Sequence, residues 1–251
     1  MSHSKDRLPM ISIVIAVFNG AKTIQQCVDS IVNQTYPYKE LIIMDGASKD
    51  ATVSILERNT SQIAYWESKD DRGIAHAWNK ALEHAKGDWI LFLGADDHLH
   101  DPNVLSDFAE ILGGDIGTDL IYGQVVYDGG INDKKIFGSE FDSRVLRWRM
   151  NIPHTACFQR KKFLQGVGQF DEDFKIAIDY EILLRKKSLS GRYVARLVSR
   201  MGGWGVSSRL TSKTLREFRA AQIKNRVTNR WQIEFMHAFY QLRHQFNIWR
   251  N

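Results

Sequence analysis

The segment ISIVIAVFNGAKTIQQCVDSIV (11–32) holds an apolar run, a turn and a helical pattern in that order. Residues 11–18 are β-branched and apolar on both faces, and the run is too short for a helix, so it predicts a buried strand. After the turn NGAKT, apolar residues such as Ile24, Cys27 and Ile31 recur at helical spacing. The segment therefore predicts a strand followed by a helix.

The next seventy or so residues continue this alternation. The predicted elements are strand ELIIMDG (40–46), helix TVSILER (52–58), strand IAYWE (63–67), helix IAHAWNKALEHAKG (74–87) and strand WILFL (89–93). Four strands alternating with three helices are typical of an α/β fold with a mostly parallel, Rossmann-like central sheet flanked by helices.

Beyond residue 101 the pattern predicts fewer elements. A helix is expected over 103–112, a strand over 119–127 and a helix over 176–189. Thr214 and Glu217 fit a capping box, which predicts the start of one long C-terminal helix with many aromatic residues.

Composition excludes several classes of protein. The chain has 251 residues, 43% hydrophobic and 25% charged, as in a single globular domain. Its apolar runs fall far short of the roughly 18 residues of a membrane span, and MSHSKDR lacks an apolar signal core, so a cytoplasmic location is expected. Cys27 and Cys157 have no CxxC spacing, which argues against a disulfide framework or a zinc site.

The net charge of +5 comes from the C-terminus. Residues 211–251 carry eight Lys or Arg against two Glu, a net +6, which leaves −1 for residues 1–210. The basic amphipathic helix expected there either packs on the rest of the chain or a second subunit, which most such helices do, or lies on the inner face of the membrane. A basic C-terminus would also suit a non-catalytic protein that binds nucleic acid through its phosphates. The net negative charge of residues 1–210 argues against nucleic acid as a partner.

Carboxylates follow two of the predicted strands. Asp45 ends the second strand, and Asp96 and Asp97 come just after the fourth. Ligands of open parallel sheets bind beyond the carboxyl ends of the strands. Three carboxylates gathered there repel each other unless a cation or a donor-rich ligand lies among them. The ligand most often bound at such a site is Mg²⁺ or Mn²⁺ together with phosphate oxygens. An ordinary surface turn remains the alternative.

The sequence lacks the common nucleotide-binding and hydrolase signatures. The sequence has no GxGxxG, GxxxxGK[ST], HExxH or GxSxG motif, which disfavours dehydrogenases, P-loop NTPases and the corresponding hydrolases. A nucleotidyltransferase with a similar core remains an alternative, although NGAKT lacks the glycine-rich, basic phosphate loop expected after its first strand.

Three segments resemble the family 2 glycosyltransferases, which have the GT-A fold: residues 11–52, GIAHAWNKALEHAKGDWILFLGADD (73–97) and GVGQFDEDFKIAIDYEILLR (166–185). The resemblance implies a metal-dependent inverting glycosyltransferase that uses Mn²⁺ or Mg²⁺. It would transfer a sugar from a nucleotide-sugar donor, expected to be a UDP-sugar, to a hydroxyl of a glycan or lipid-linked saccharide. The implied division is a GT-A catalytic domain over 1–210, with a nucleotide-binding half (1–100) and an acceptor-binding half (101–210), and a basic helix over 211–251.

The resemblance also implies the donor site. Asp45 would bind the nucleotide base, with Val17 and Asn19 lining the same pocket. Asp71 and Arg72 would close over base and diphosphate, although Ala75 and His76 replace residues that are Tyr and Asp in many relatives. Asp96 would face the ribose, and Asp97 would bind the metal that bridges the phosphates.

For the reaction itself, the resemblance implies that Asp179 is the catalytic carboxylate. A hydroxyl needs such a group to take its proton, although a helix N-cap is the alternative role for Asp179. His154 occupies a position that often approaches the metal or diphosphate, and a structural histidine is equally expected there. MGGWGVSSR (201–209) resembles a lid over the donor sugar.

Overall fold

The computed structural model describes residues 8–129, 133–202 and 211–249. The strands are β1 (Ile11–Val17), β2 (Lys39–Asp45), β3 (Tyr65–Ser68), β4 (Trp89–Gly94), β5 (His98–Leu99), β6 (Leu120–Asp128), β7 (Ile136–Phe137), β8 (Cys157–Arg160) and β9 (Gly191–Gly202). The helices are α1 (Ile24–Val32), α2 (Thr52–Arg58), α3 (Ile74–His84), α4 (Val104–Gly114), α5 (Ser143–Leu146), α6 (Lys161–Val167), α7 (Ile178–Leu184), α8 (Ser212–Lys224) and α9 (Arg230–Trp249). Short 3₁₀ turns occupy Thr60–Gln62 and His154–Ala156.

The strands form one mixed sheet in the order β3-β2-β1-β4-β8-β6-β9-β5, and β7 pairs with β6. The first four strands run parallel to one another. β8 is antiparallel to both β4 and β6, whereas β9 is parallel to β6. The predicted α/β fold with a mostly parallel sheet is therefore confirmed, and the short or antiparallel strands β5, β7, β8 and β9 add to it.

Helices cover both faces of the sheet. Along β1, Ile13 and Ile15 join a core with α1, α2 and α4, whereas Val14 joins a second core with α3, α6, α7 and α8. Both faces of β1 are buried, which explains why residues 11–17 show no alternation of apolar and polar side chains. Phe18, which was predicted to belong to the buried strand, follows β1 and is exposed.

Helix α7 is shorter than the predicted helix over 176–189. Before the helix, Glu217 of α8 accepts the backbone N–H groups of residues 175–177. After it, the Arg185 guanidinium donates to Glu181 and to the carbonyl groups of Val167 and Gln169. Tertiary hydrogen bonds thus replace further helical turns at both ends.

Two helices stand where the sequence predicts one over 211–251. Asn225 ends α8, and Arg226 has a φ of 49°, in the left-handed region that stops an α-helix. The capping box is also shifted, because Thr211 is the N-cap and Thr214 completes the box. Glu217 is therefore free for the contacts with residues 175–177.

None of the helices in the described ranges combines the length and the hydropathy needed to cross a bilayer.

Asn79 links α3 to the segment that leads into α7. Its side chain is buried, donates to the Phe170 carbonyl (2.9 Å) and accepts the Phe170 N–H (2.7 Å). Asn79→Ala leaves two buried backbone groups unpaired, so we expect the free energy of unfolding to fall by about 2–4 kcal/mol. Urea denaturation measures the change. The matched control, Glu83→Ala on the exposed face of α3, should stay within about 0.5 kcal/mol of the wild type; equal values for both variants would contradict this role.

Candidate active site

The strands place several of the predicted site residues at one edge of the sheet. In the parallel register Val17 lies opposite Asp45, and Ala16 lies opposite Gly94, so β1, β2 and β4 end together. Because β8 is antiparallel to β4, the start of β8 lies beside the end of β4. The 3₁₀ turn that begins at His154 therefore reaches the same edge, which we call the carboxyl rim.

Asp45 forms a hydrogen-bonded turn with its neighbours on the carboxyl rim. Its buried carboxylate accepts the Ser48 N–H (2.9 Å), the Ser48 hydroxyl and the Ser68 hydroxyl (2.6 Å). Asn19 has a φ of 52°, donates its N–H to Ser48 Oγ (2.7 Å) and accepts the Lys49 N–H at its Oδ1 (2.8 Å). The structure thus brings Asn19 and Asp45 together through Ser48.

Asp71 belongs to the same part of the rim, but the Arg72 side chain does not. The Asp71 carboxylate packs against Gly46, where an added Cβ would lie 2.9 Å from Oδ2. The Arg72 guanidinium instead makes a bidentate contact with Glu172 (2.6 and 2.9 Å) and is mostly exposed. A role of Arg72 at the diphosphate therefore requires it to leave Glu172.

Asp96 and Asp97 follow β4 with different environments. Asp97 is buried, and its carboxylate oxygens accept the N–H groups of Gly94 (3.0 Å) and Gly202 (2.9 Å). Asp96 is exposed, and its carboxylate approaches both glycines so closely that a Cβ at Gly202 would lie 2.7 Å from Oδ2. The end of β9 thus closes over the acidic pair, and only glycine leaves room there.

Burial and the adjacent charge of Asp96 raise the pKa of Asp97 from 3.8 to about 7. The two backbone N–H groups act in the opposite direction and do not offset the desolvation. Asp97 is therefore a carboxyl group that releases its proton near neutral pH.

Asp179 lies in the first turn of α7, with Ala177 at the N-cap, so the alternative role of Asp179 as an N-cap is wrong. Its Oδ1 accepts the N–H of Tyr180 (2.8 Å). Burial dominates the pKa of both His154, which is lowered, and Cys157, which is raised, and the charge of Asp179 acts in the upward direction on each. The Asp179 carboxylate therefore lies near the start of β8.

His154 stacks against two rings, with centroids 5.0 Å from Trp78 and 5.3 Å from Phe92. Desolvation lowers its pKa despite the opposing charge of Asp179, so the imidazole is neutral at pH 7. Nδ1 lies 3.5 Å from Gln159 Nε2, whereas Nε2 is buried without a hydrogen-bond partner. A neutral ring with one unpaired nitrogen can bind a ligand or a metal.

The part of the chain with described side chains contains no group of three or more His, Cys, Asp or Glu residues able to hold a metal ion. Mg²⁺ or Mn²⁺ bound through one or two carboxylates and substrate phosphates needs no such group. Residues 203–209 of the predicted lid lie outside the described residues.

Two residues that contact the site, Glu217 and Gly202, were not identified from the sequence. Glu217, assigned to a capping box, contacts the segment before Asp179. Gly202, treated as part of a lid, binds Asp97. A capping-box pattern and a glycine-rich segment have many local explanations, so neither signal could identify these tertiary contacts.

The mostly parallel sheet, with acidic residues at the ends of β2 and β4 and a mixed second half, is the GT-A fold of nucleotide-sugar-dependent glycosyltransferases. The family model described as glycosyl transferase family 2 matches residues 12–189. The chain belongs to that family and is a glycosyltransferase.

Similar proteins and solved structures agree with this family assignment. A PGL/p-HBAD biosynthesis glycosyltransferase of Mycobacterium bovis is 31% identical over 203 residues, 78% of each chain. An uncharacterized glycosyltransferase of Mycobacterium tuberculosis is 32% identical over 180 residues, 70% of this chain and 68% of the relative.

Among solved structures, Staphylococcus aureus TarS 1–349 in complex with UDP-GlcNAc has a TM-score of 0.68 at 19% identity, over 94% of this chain and 72% of TarS 1–349. The Pyrobaculum calidifontis mannosyltransferase PcManGT, in complex with GDP-Man and Mn²⁺, has a TM-score of 0.65 at 20% identity, over 88% of this chain and 66% of its own. Both structures share the fold.

The raised pKa of Asp97 predicts a pH-dependent stability. The contribution of Asp97 to the free energy of unfolding is fully present below about pH 3.8 and is lost as the pH rises through about 7. Above that pH the folded state holds an ionised, buried carboxylate. The difference reaches on the order of 4 kcal/mol. Denaturation in EDTA at several pH values should show a decline for the wild type that Asp97→Asn lacks, and the exposed control Glu110→Gln should keep it. A wild-type decline retained by Asp97→Asn would contradict this assignment.

Proposed function

We propose that the chain is a metal-dependent inverting glycosyltransferase that moves a sugar from a nucleotide-sugar, with a UDP-sugar as the first candidate, to a hydroxyl of a glycan or lipid-linked saccharide. The observation that carries the proposal is the convergence of Asp45, Asp71, Asp96 and Asp97 on the carboxyl rim, with Asp179 beside His154 at the start of β8. We assign the catalytic domain to residues 1–210, with the donor half in 1–100 and the acceptor half in 101–210.

The turn around Asp45 is suited to the nucleotide. A carboxylate held by Ser48 and Ser68 is a fixed acceptor for an N–H group of the nucleotide base. Asp45 ends β2 and therefore lies at the carboxyl rim, where ligands of such sheets bind. Val17 and Asn19 form the neighbouring wall, and Asp71 closes it from the loop before α3. Arg72 would reach the diphosphate after release from Glu172.

The acidic pair suits a divalent metal. A carboxylate supplies hard oxygen ligands, and substrate phosphates would complete the shell of Mg²⁺ or Mn²⁺. We assign the metal to Asp97 and the ribose to Asp96. When bound, the ion would neutralise charge on the departing diphosphate. We assign the neutral His154 to the same diphosphate or ion, and its buried, unpaired Nε2 supports this assignment.

Asp179 acts as the base. As the acceptor oxygen forms its bond to the anomeric carbon, Asp179 takes the hydroxyl proton. The bond from that carbon to the diphosphate oxygen breaks, and the nucleoside diphosphate leaves with the electron pair. A single displacement from the opposite face inverts the anomeric configuration.

Asp179→Asn and Asp97→Asn separate the two halves of this proposal. With Asp179→Asn, nucleoside diphosphate should still raise the melting temperature in Mn²⁺, whereas transfer should fall by roughly 10²–10⁴-fold because the base is lost. With Asp97→Asn, the Mn²⁺-dependent shift itself should be lost. Thermal shift and product chromatography measure both.

The exposed acid-to-amide variant Glu110→Gln is the control and should match the wild type. Full turnover in Asp179→Asn would refute the assignment of the base. No stabilisation of the wild type by UDP, GDP or other nucleoside diphosphates with Mn²⁺ would refute the donor site.

We also propose that α9 contacts an anionic lipid surface. Its outer face is a stripe of exposed apolar side chains, and the opposite face buries Ile233. The stripe comprises Trp231 (68% exposed), Phe235 (67%), Phe239 (49%) and Leu242 (54%). The net charge of +6 over residues 211–251 favours anionic headgroups and disfavours a second copy of the same basic surface.

The double variant Trp231→Ser/Phe235→Ser tests this surface. It removes apolar area worth roughly 1.5–3 kcal/mol per side chain, so vesicle binding should weaken at least 10-fold. Co-sedimentation with phosphatidylcholine vesicles, with and without phosphatidylglycerol, measures the effect. Ile116→Ser, at an exposed apolar residue in the loop after α4, is the control. Dimerisation that the double variant abolishes, without vesicle binding by the wild type, would overturn the proposal.

A further inference from the structure

Glu217 of α8 holds the backbone immediately before the helix that carries Asp179. Its Oε2 accepts three consecutive N–H groups, those of Lys175 (3.0 Å), Ile176 (2.7 Å) and Ala177 (3.0 Å). Hydrogen bonds to a charged acceptor are roughly twice as strong as neutral ones. One carboxylate oxygen thus fixes the path of the chain two residues before Asp179.

Helix α8 also holds the residues that follow Asp179. Gln222 donates to the Tyr180 hydroxyl (3.0 Å) and to the Arg147 carbonyl (3.0 Å). Asn225 donates to Glu181 Oε1 (3.0 Å). Tyr180, Glu181 and Gln222 are buried, so these polar partners have little access to water. Asp179 therefore lies between two sets of contacts from a single helix.

The same segment is joined to the donor side of the rim. Lys175 Nζ donates to the Arg72 carbonyl (2.8 Å), and Arg72 pairs with Glu172. The N–H groups that Glu217 accepts begin at Lys175 itself. Residues 175–177 therefore lie between the loop that holds Asp71 and the helix that carries Asp179.

We propose that Glu217 is a positioning residue for Asp179, and this inference rests on the proposed function. Glu217 acts through the backbone of residues 175–177 and not on the substrate. Helix α8 lies outside residues 12–189, which the family model matches, so the C-terminal extension completes the active site rather than only enlarging the fold. The expected consequence is a selective effect on the chemical step.

The effect should appear in kcat and not in donor affinity. Misplacement of a reacting group by about 1 Å costs up to about 10²-fold in rate. We expect Glu217→Ala to lower kcat by roughly 10–100-fold and to leave the Kd for nucleoside diphosphate with Mn²⁺ unchanged. Glu217→Gln keeps a neutral acceptor oxygen and should recover part of the loss.

A matched control is available on the same extension. Glu234 of α9 pairs with Arg219 of α8 and with Arg230, and among the described residues none of these ion pairs involves residues 175–177. Glu234→Gln loosens the packing of α8 on α9 and should leave kcat near that of the wild type. Equal losses of kcat in Glu217→Ala and Glu234→Gln would show a general effect of the extension and overturn the proposal.

Amide hydrogen exchange supplies a readout that is independent of turnover. The amides of residues 175–177 should exchange faster in Glu217→Ala than in the wild type or in Glu234→Gln. Faster exchange with unchanged kcat in an active enzyme would overturn the positioning role, and so would unchanged exchange. Absence of both sugar transfer and nucleotide binding in the wild type would instead refute the proposed function. The exchange result does not depend on turnover, so the two failures are distinguishable.

Discussion

Repulsion between acidic side chains at the ends of neighbouring strands is the constraint on which the rest of the structure depends. The parallel register of β1, β2 and β4 brings Asp45, Asp96 and Asp97 to the carboxyl rim. The protein offsets part of this charge with its own donors: two serines for Asp45, and the N–H groups of Gly94 and Gly202 for Asp97. Asp97 keeps a pKa of about 7, so the offset is incomplete, and a cation with a diphosphate would complete it.

The second half of the chain completes the rim from other directions. The antiparallel strand β8 starts where β4 ends and delivers His154, while β9 ends at the acidic pair through Gly202. On the face of the sheet that α3 also covers, α7 carries Asp179, and α8 holds its backbone through Glu217. A first half built from regularly alternating strands and helices is thus joined to a second half that depends on long-range contacts.

The elements from β1 to β4 were predictable because each of these strands and helices follows from local apolar periodicity. The buried run 11–17 and the helical spacing of Ile24, Cys27 and Ile31 need no knowledge of distant residues. The later elements differ. β8 has four residues and β5 and β7 have two each, and such strands exist only through their partners. The division of the C-terminal region into α8 and α9 likewise depends on the conformation of Asn225 and Arg226.

The sequence by itself determined the α/β class, the parallel first half and the positions of Asp45, Asp96 and Asp97 after their strands, because these depend on hydrophobic periodicity and on the geometry of parallel sheets. Only the tertiary structure decided that Asp97 is buried while Asp96 is exposed, that Arg72 pairs with Glu172, and that Glu217 holds the chain before Asp179. Those outcomes depend on groups as many as 105 residues apart, such as Asp97 and Gly202. Sequence periodicity carries no record of such contacts.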